Sequence, residues 1–223
     1  MKFGKGLEIL GTDEYSKDGN MHYGVFQSSA LETIKLPATL KRIEYRVFTD
    51  CKNLKRVQLP DGLEYVGRAC FAGSGLGEVR FPASLKVVGA ETFKDCESLH
   101  HVELNEGLKI LGEKWNYGDN ELRGMVFNCS GIESIRIPST LKTIDAYTFA
   151  ECNNLKAVEF SEGLEKIEVC AFLGSNIESI SLPSSTRVIC GSTFAFCENL
   201  RIVRLNEGLV KLGTKERFRG QLF

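Results

Sequence analysis

Apolar and polar positions recur along the whole chain in one pattern. In the copy that begins at Leu54, Val57 and Leu59 alternate with polar residues, which is typical of a short half-buried strand. Pro60 ends this strand because proline has no amide hydrogen, and the following Asp-Gly pair favours a turn. The apolar positions that follow predict a second short extended segment, and a phenylalanine then fills the centre of the coil.

The copies follow one another at regular intervals. Clear copies begin at Pro37, Pro60, Pro82, Pro138, Ser161 and Pro183 and run for 22 or 23 residues. Two longer copies, which begin at Gly6 and Gly107, run for 33 residues because each carries an insertion; Gly6, Gly107 and Gly208 are each 101 residues apart. A unit of this length cannot bury its apolar face alone, so the pattern predicts a repeat solenoid.

The repeat places each predicted element. We expect one parallel sheet on one face, with strands at about 31–36, 54–59, 76–81, 99–104, 132–137, 155–160, 177–182 and 200–205. One phenylalanine per repeat is predicted to stack in a buried spine: Phe26, Phe48, Phe71, Phe93, Phe127, Phe149, Phe172 and Phe194. Residues 1–223 are predicted to form a single solenoid, with modules at about 4–104 and 105–205 and a partial third unit at 206–223.

Composition and charge exclude several classes of protein. The chain is 43% hydrophobic and 26% charged, which allows a sizeable core. A formal net charge of −1 provides no long-range attraction for nucleic acid. No apolar run approaches the length needed to span a bilayer, so we expect no membrane insertion.

Eight cysteines are present, and their placement favours free thiols over disulfides. Five of them follow a spine phenylalanine by two or three residues, where Ser74 and Ser175 stand in other repeats: Cys51, Cys96, Cys129, Cys152 and Cys197. We expect a stacked ladder of small buried side chains. Because no Cys-x-x-Cys pair occurs, no metal site is expected, and no cofactor is expected either.

The three histidines do not predict a catalytic site. His100 and His101 are consecutive and therefore point to opposite faces of a strand, while His101 and Glu103 share the outer face without a nucleophile beside them. We therefore predict that the protein is not an enzyme. One outward lane of the sheet reads Lys35, Gln58, Arg80, Glu103, Arg136, Glu159, Ser181 and Arg204. Its alternating signs from Arg80 to Glu159 predict ion pairs between neighbouring strands.

The two insertions are the places where aromatic residues leave the repeat register. Exposed Trp, Tyr and Arg side chains dominate the energetics of many protein interfaces, so we regard these loops and the sheet face as candidate binding surfaces. The alternative is that the loops only cover the edge of the solenoid. The candidate binding residues are Tyr15, His22, Tyr23, Trp115, Tyr117 and Arg123 in the loops, with Arg80, His101, Glu103 and Arg136 on the sheet.

The stretch from Ile137-Pro138 through Leu141 and Ile144 to Phe149, followed by Cys152-Asn-Asn-Leu155, resembles the BspA-like, or Treponema-type, class of leucine-rich repeat proteins. The resemblance covers essentially the whole chain. It implies a right-handed coil with a parallel sheet on one face and short strands, loops or short helical turns on the other. The asparagine common after the strand in other leucine-rich repeats is replaced here by proline, Asn105 or Ser161.

The resemblance also implies a function, because members of this bacterial surface-antigen class are adhesins or interaction proteins. We expect a non-catalytic recognition scaffold for an unidentified protein partner, such as a host or cell-surface protein. Two alternatives are end-to-end self-association into a structural assembly and carbohydrate binding by an adhesin. The family implies an extracellular or cell-surface location if a signal was removed, whereas a native start at Met1 implies the cytoplasm.

Overall fold

The computed structural model describes residues 6–12, 23–113, 115–117, 120–122 and 124–214, with the backbone alone at 115–117, 120–122 and 214. This part of the chain consists of strands and turns and contains no helix. The fold is a parallel β-solenoid, which confirms the predicted class. Short strands and turns, rather than short helical turns, complete each coil.

The first strand row contains the strands predicted from the alternating pattern. Its members are β2 (Thr33–Lys35), β4 (Arg56–Gln58), β6 (Glu78–Arg80), β8 (His101–Glu103), β12 (Ser134–Ile137), β14 (Ala157–Phe160), β16 (Ser179–Ser181) and β18 (Ile202–Arg204). Each lies inside its predicted segment, so the positions are confirmed. The strands are shorter than predicted because only their central residues take part in ladder pairing.

A second strand row follows the turn that ends each strand of the first row. Its members are β1 (Ile9–Leu10), β3 (Arg42–Ile43), β5 (Tyr65–Val66), β7 (Val87–Gly89), β9 (Ile110–Glu113), β13 (Thr143–Ile144), β15 (Lys166–Ile167), β17 (Val188–Cys190) and β19 (Lys211–Thr214). These strands pair in parallel from coil to coil in two runs, β1 to β9 and β13 to β19. The sequence predicted an extended segment here, but it did not predict that the segments form a ladder of their own.

The backbone around each spine phenylalanine links neighbouring coils on a third side. The Phe48 amide donates to the Cys70 carbonyl at 2.8 Å, and the Phe71 amide donates to the Thr92 carbonyl at 3.0 Å. Between these links, tight turns need two left-handed residues per coil, such as Arg46 (φ 52°) and Asp50 (φ 57°). Backbone hydrogen bonds between coils therefore occur on three sides of the solenoid, and they pair polar groups of a chain whose described part has no helix.

The predicted phenylalanine spine is confirmed. Consecutive rings from Phe26 to Phe194 stack with centroids 5.2–5.7 Å apart and interplanar angles of 3–19°. The six central rings have no exposed surface. Each stacked pair contributes about 0.5–1.5 kcal/mol beyond the burial of its area. Leucines and isoleucines of both strand rows pack around the rings in one cluster that runs from Leu10 to Ile189.

The second insertion leaves the solenoid as a hairpin. Its strands are β10 (Trp115–Tyr117) and β11 (Asn120–Leu122), which pair antiparallel. The chain rejoins the coil at Gly124, which has a φ of +78°, and a Cβ built on it would lie 1.9 Å from the Ala146 carbonyl oxygen. Glycine is required at this junction because a side chain would collide with the backbone of the next coil.

Candidate functional site

The outward lane of the first strand row contains the predicted ion pairs. Arg80 Nε lies 2.8 Å from Glu103 Oε2, and Arg136 Nε lies 3.8 Å from Glu159 Oε1. All four side chains are at least half exposed, so each pair contributes about 0–1 kcal/mol. The lane therefore keeps the sheet face soluble and polar without holding its side chains rigidly.

The candidate residues of the sheet fall into two groups. His101 on β8 is exposed and stands in register between Glu78 of β6 and Ser134 of β12. Arg80 and Glu103 lie beside it on the same face, whereas Arg136 lies further along with Glu159. The ring of the neighbouring His100 is placed elsewhere, with its Nδ1 3.2 Å from the Ser98 carbonyl. The two consecutive histidines thus do not converge.

The first strand row is divided into pairs of strands. β2 pairs with β4, β6 with β8, β12 with β14 and β16 with β18 over every residue of at least one strand. Between these pairs, β8 and β12 share one register pair, while β4 and β6, like β14 and β16, belong to different sheets. The expectation of one sheet along this face is therefore wrong for the described residues.

The length of the turn after each spine phenylalanine alternates with the same two-coil period. The next core residue comes five residues after Phe26, Phe71, Phe127 and Phe172, but six residues after Phe48, Phe93, Phe149 and Phe194. The short turns have Ser-x-Leu or Ser-x-Ile, and the long turns have Cys-x-x-Leu. A strand that follows a short turn pairs fully with the next strand of the row, which follows a long turn, as β6 does with β8. After each strand that follows a long turn, the pairing is weak or absent, as between β8 and β12.

The cysteine ladder follows the same alternation. The third residue after each spine phenylalanine is, in order, Ser29, Cys51, Ser74, Cys96, Ser130, Cys152, Ser175 and Cys197. The prediction that Cys129 belongs to this ladder is wrong. Ser130 occupies the buried position, and Cys129 is exposed at a left-handed φ of 55°. The sequence does contain a signal that separates the two residues. Every ladder residue follows its spine phenylalanine by three positions, whereas Cys129 follows Phe127 by only two.

The ladder thiols bond to the coil that precedes them. Cys96 Sγ donates to the Phe71 carbonyl at 3.1 Å and lies 3.6 Å from Ser74 Oγ. Cys152 makes the equivalent contacts with Phe127 at 3.0 Å and Ser130 at 3.7 Å. Burial raises the pKa of Cys96 to about 11 and that of Cys152 to about 12. All eight cysteines are free, as predicted, and the raised pKa disfavours the reactive thiolate form of Cys96 and Cys152.

A groove lies where β4 and β6 separate. It has a volume of about 600 Å³, and its floor is formed by Ile34, Val57, Leu59 and Val79. Val57 is half-buried, whereas Ile34 and Val79, at the same position of neighbouring strands, are buried. The polar rim contains Lys35, Arg56, Gln58, Glu78, Arg80 and His101.

The sequence pointed to only part of this groove. Arg80 and His101 were candidate binding residues, but Arg56 was not, because the break between β4 and β6 is invisible in the periodic pattern. One signal was present in the sequence: Arg56 corresponds to Ala157 at a distance of 101 residues, so this position differs between two otherwise similar modules.

The inserted loops are described in part. Tyr23 is 85% exposed. Trp115 and Tyr117 lie in β10, where the backbone alone is described, and Tyr15, His22 and Arg123 lie outside the described residues. A role of these residues in binding stays a prediction.

Two further observations concern the described part of the chain. It contains no cluster of histidine, cysteine, aspartate or glutamate side chains that could hold a metal ion. It also contains no helix with the length and apolar character needed to span a bilayer.

The strand rows, the spine and the register of the repeat define a leucine-rich repeat solenoid. A family model, the BspA-type leucine-rich repeat region, matches residues 20–127 and 120–218 with six copies. The chain belongs to this family of BspA-type leucine-rich repeat proteins.

Solved structures of bacterial leucine-rich repeat proteins are similar to this chain. A leucine-rich repeat protein of T. pallidum is 26% identical with a TM-score of 0.57, and the match covers 89% of this chain and 79% of that one. One from Bacteroides ovatus is 19% identical with a TM-score of 0.36, over 96% and 84% of the two chains. The pneumococcal vaccine antigen PcpA is 19% identical with a TM-score of 0.37, over 96% and 70%. The comparison with curated proteins finds no match.

Proposed function

We propose that this protein is a non-catalytic recognition scaffold that binds a protein partner through the first strand row. The observation that carries the proposal is the groove between β4 and β6, where a half-buried apolar floor is surrounded by exposed charged side chains. Apolar area for affinity and polar groups for orientation are the combination that protein-binding sites use.

The surroundings of the groove support binding rather than catalysis. His101 and Glu103 are exposed on one strand, and the thiols of Cys96 and Cys152 are buried in the ladder with pKa values raised to about 11 and 12. A nucleophile within hydrogen-bond reach of a base is the minimum arrangement for covalent catalysis, and thiols buried in the ladder do not reach a histidine on the outer face. Membership of the family supports an interaction scaffold in the same way.

An unbiased selection tests the location of the binding surface. Peptides selected from a phage-displayed random library against the whole protein should bind the face that is best suited to recognition. Their affinities would then be measured by biolayer interferometry for Arg80→Ala/His101→Ala and for a control, Lys86→Ala/Lys109→Ala, whose exposed lysines lie beside the second strand row. We expect the sheet variant to weaken most peptides about tenfold, the loss that one interface contact of about 1.4 kcal/mol represents.

The control variant is expected to bind these peptides like the wild type. If most selected peptides instead lost affinity only in the control variant, or bound both variants unchanged, the first strand row would not be the recognition surface. Thermal unfolding of both variants checks that exposed substitutions leave the fold intact.

A further inference from the structure

The break between β4 and β6 has a counterpart 101 residues further along the chain. β14 and β16 also belong to different sheets, and Val158, like Val57, is half-buried. The two sites occupy equivalent positions of the repeat but differ in charge. Comparing the residues at equivalent positions therefore shows which charged side chains are particular to the first site.

The first groove carries cations that the second lacks. Arg56 and Arg80 of the first correspond to Ala157 and Ser181 of the second, while the anion Glu78 corresponds to Ser179. Lys35 corresponds to Arg136, but Arg136 is paired with Glu159, whereas the residue in register with Lys35 is the uncharged Gln58. The first groove is thus the more cationic of the two.

Two of the cations at the first groove are available to a ligand. Arg80 is already neutralised by Glu103 at 2.8 Å. Lys35 and Arg56 are exposed, and neither forms a salt bridge with the part of the chain that the structure describes. Even Glu78, which flanks the break opposite Arg56, does not pair with it.

The dimensions of the groove match an extended chain. The rim spans four strands, β2, β4, β6 and β8, which corresponds to about 15 Å at ~4.8 Å per strand. An extended peptide of about four or five residues covers this distance at ~3.3 Å per residue. Side chains of an extended peptide alternate between faces, so an apolar side chain on the inner face can rest on Val57 and Leu59 while the long, exposed side chains of the cations reach carboxylates on the outer face.

We propose that this groove binds an extended acidic segment of the partner protein, with carboxylates paired to Lys35 and Arg56 and an apolar side chain on Val57 and Leu59. The inference rests on the proposed function and names the chemistry of its partner. The apolar floor favours a peptide over a polyanion such as a sulfated oligosaccharide, which would use the cations but leave Val57 and Leu59 uncovered.

Fluorescence anisotropy with a defined probe tests the proposal. The probe is a fluorescein-labelled octapeptide of alternating Glu and Leu, compared with a Gln–Leu peptide of the same pattern. We expect the acidic peptide to bind at least about tenfold more tightly at low ionic strength and to lose affinity as NaCl rises from about 0.05 to about 0.5 M.

Two double variants with the same change in net charge locate the site. Lys35→Gln/Arg56→Ala should reduce the affinity for the acidic peptide about tenfold or more, and Arg201→Gln/Arg204→Gln should leave it within about twofold. All four side chains are exposed on or next to strands of the first row, so unchanged melting temperatures are expected and confirm folding.

Three results would overturn the inference. The first is equal or absent binding of the Glu and Gln peptides, and the second is an equal loss in both double variants. The third is tighter binding of a sulfated oligosaccharide that is lost in Lys35→Gln/Arg56→Ala. In each case the proposed function survives if library-selected peptides still require Arg80 and His101, so the two failures are distinguishable.

Discussion

At the scale of single residues, the position three residues after each spine phenylalanine always holds a small side chain, either serine or cysteine. Serine and cysteine alternate there from Ser29 to Cys197, so neighbouring ladder positions do not both hold a thiol. Thiols on successive ladder cysteines lie two coils apart, or about 10 Å at ~4.8 Å per coil, too far for a disulfide. Each serine instead lies beside the next thiol, as Ser74 does at 3.6 Å from Cys96.

This arrangement predicts selective thiol reactivity. In the native protein at about pH 8, Cys129 should react with a maleimide or disulfide reagent, whereas Cys96 and Cys152 should not. Burial raises the pKa of all three, so the thiolate is disfavoured in each; Cys129 reacts because it is exposed, and its rate should still increase as pH rises above about 9.

Peptide mapping of the labelled protein by mass spectrometry measures this directly. Cys129→Ser is the matched control and should remove most of the fast labelling. Rapid native labelling of Cys96 or Cys152 would show that the ladder is not closed to solvent.

At the scale of structural elements, the phenylalanine spine and the turn that follows it have different roles. The rings set a uniform spacing of 5.2–5.7 Å for every coil, whichever turn follows. The distance from the spine phenylalanine to the next core residue alternates between five and six residues from coil to coil. Pairing in the first strand row is weak or absent after every second strand, which is the same two-coil period. The stacked rings thus hold every coil at the same spacing, while the alternating turn length accompanies the separation of strands in the first row. The groove lies at one of these separations, between β4 and β6.

The spine predicts a large effect for a single truncation. Phe71→Ala should destabilise the protein by about 3–5 kcal/mol, because it removes a fully buried ring and two stacking contacts and leaves a cavity. Urea denaturation followed by circular dichroism measures the loss. Phe196→Ala is the control: its ring is 80% exposed, and we expect a change below about 0.5 kcal/mol.

A small effect of Phe71→Ala, comparable with that of the control, would contradict a core that depends on stacked rings. A similar loss for Phe172→Ala, which lies 101 residues further along the chain, would support equal roles for the two modules.

At the scale of the whole molecule, the apolar core and the spine both cross the boundary between the predicted modules. Phe93 stacks on Phe127 at 5.6 Å although the insertion separates them in sequence. Backbone bonds cross the same boundary, since the Phe93 amide donates to the Val126 carbonyl at 2.8 Å. Repeat proteins with strong interfaces between neighbouring units unfold cooperatively.

Because the core and the backbone hydrogen bonds continue across the module boundary, we expect the protein to unfold in one transition. Fluorescence of Trp115, the single tryptophan, reports on the insertion in the second module, and far-UV circular dichroism reports on all strands. Both signals should change at the same urea concentration, in the wild type and in Phe71→Ala. Two separate transitions would show that the modules unfold independently, and the prediction of a single solenoid would then be wrong.

Much of the fold could be predicted because periodic residues face the same way in every coil. Residue type alone identifies the strand, the turn and the centre of each coil, as shown by Val57, Leu59, Pro60 and Phe71. The positions of the strands and of the phenylalanine spine were predicted from these residue types. The candidate site was predicted only in part. Arg80 and His101 were selected from their outward register, but Arg56 depends on a gap between two strands that no local pattern encodes.

Taken by itself, the sequence determined the coil, its two-module period and the stacked ring in each turn, because burial of apolar residues at fixed spacing has one solution in a solenoid. The tertiary structure decided which neighbouring strands remain paired and where charged residues surround an apolar floor. The physical reason is that these features depend on small offsets between adjacent coils, which arise only when turns of different length are packed against one another.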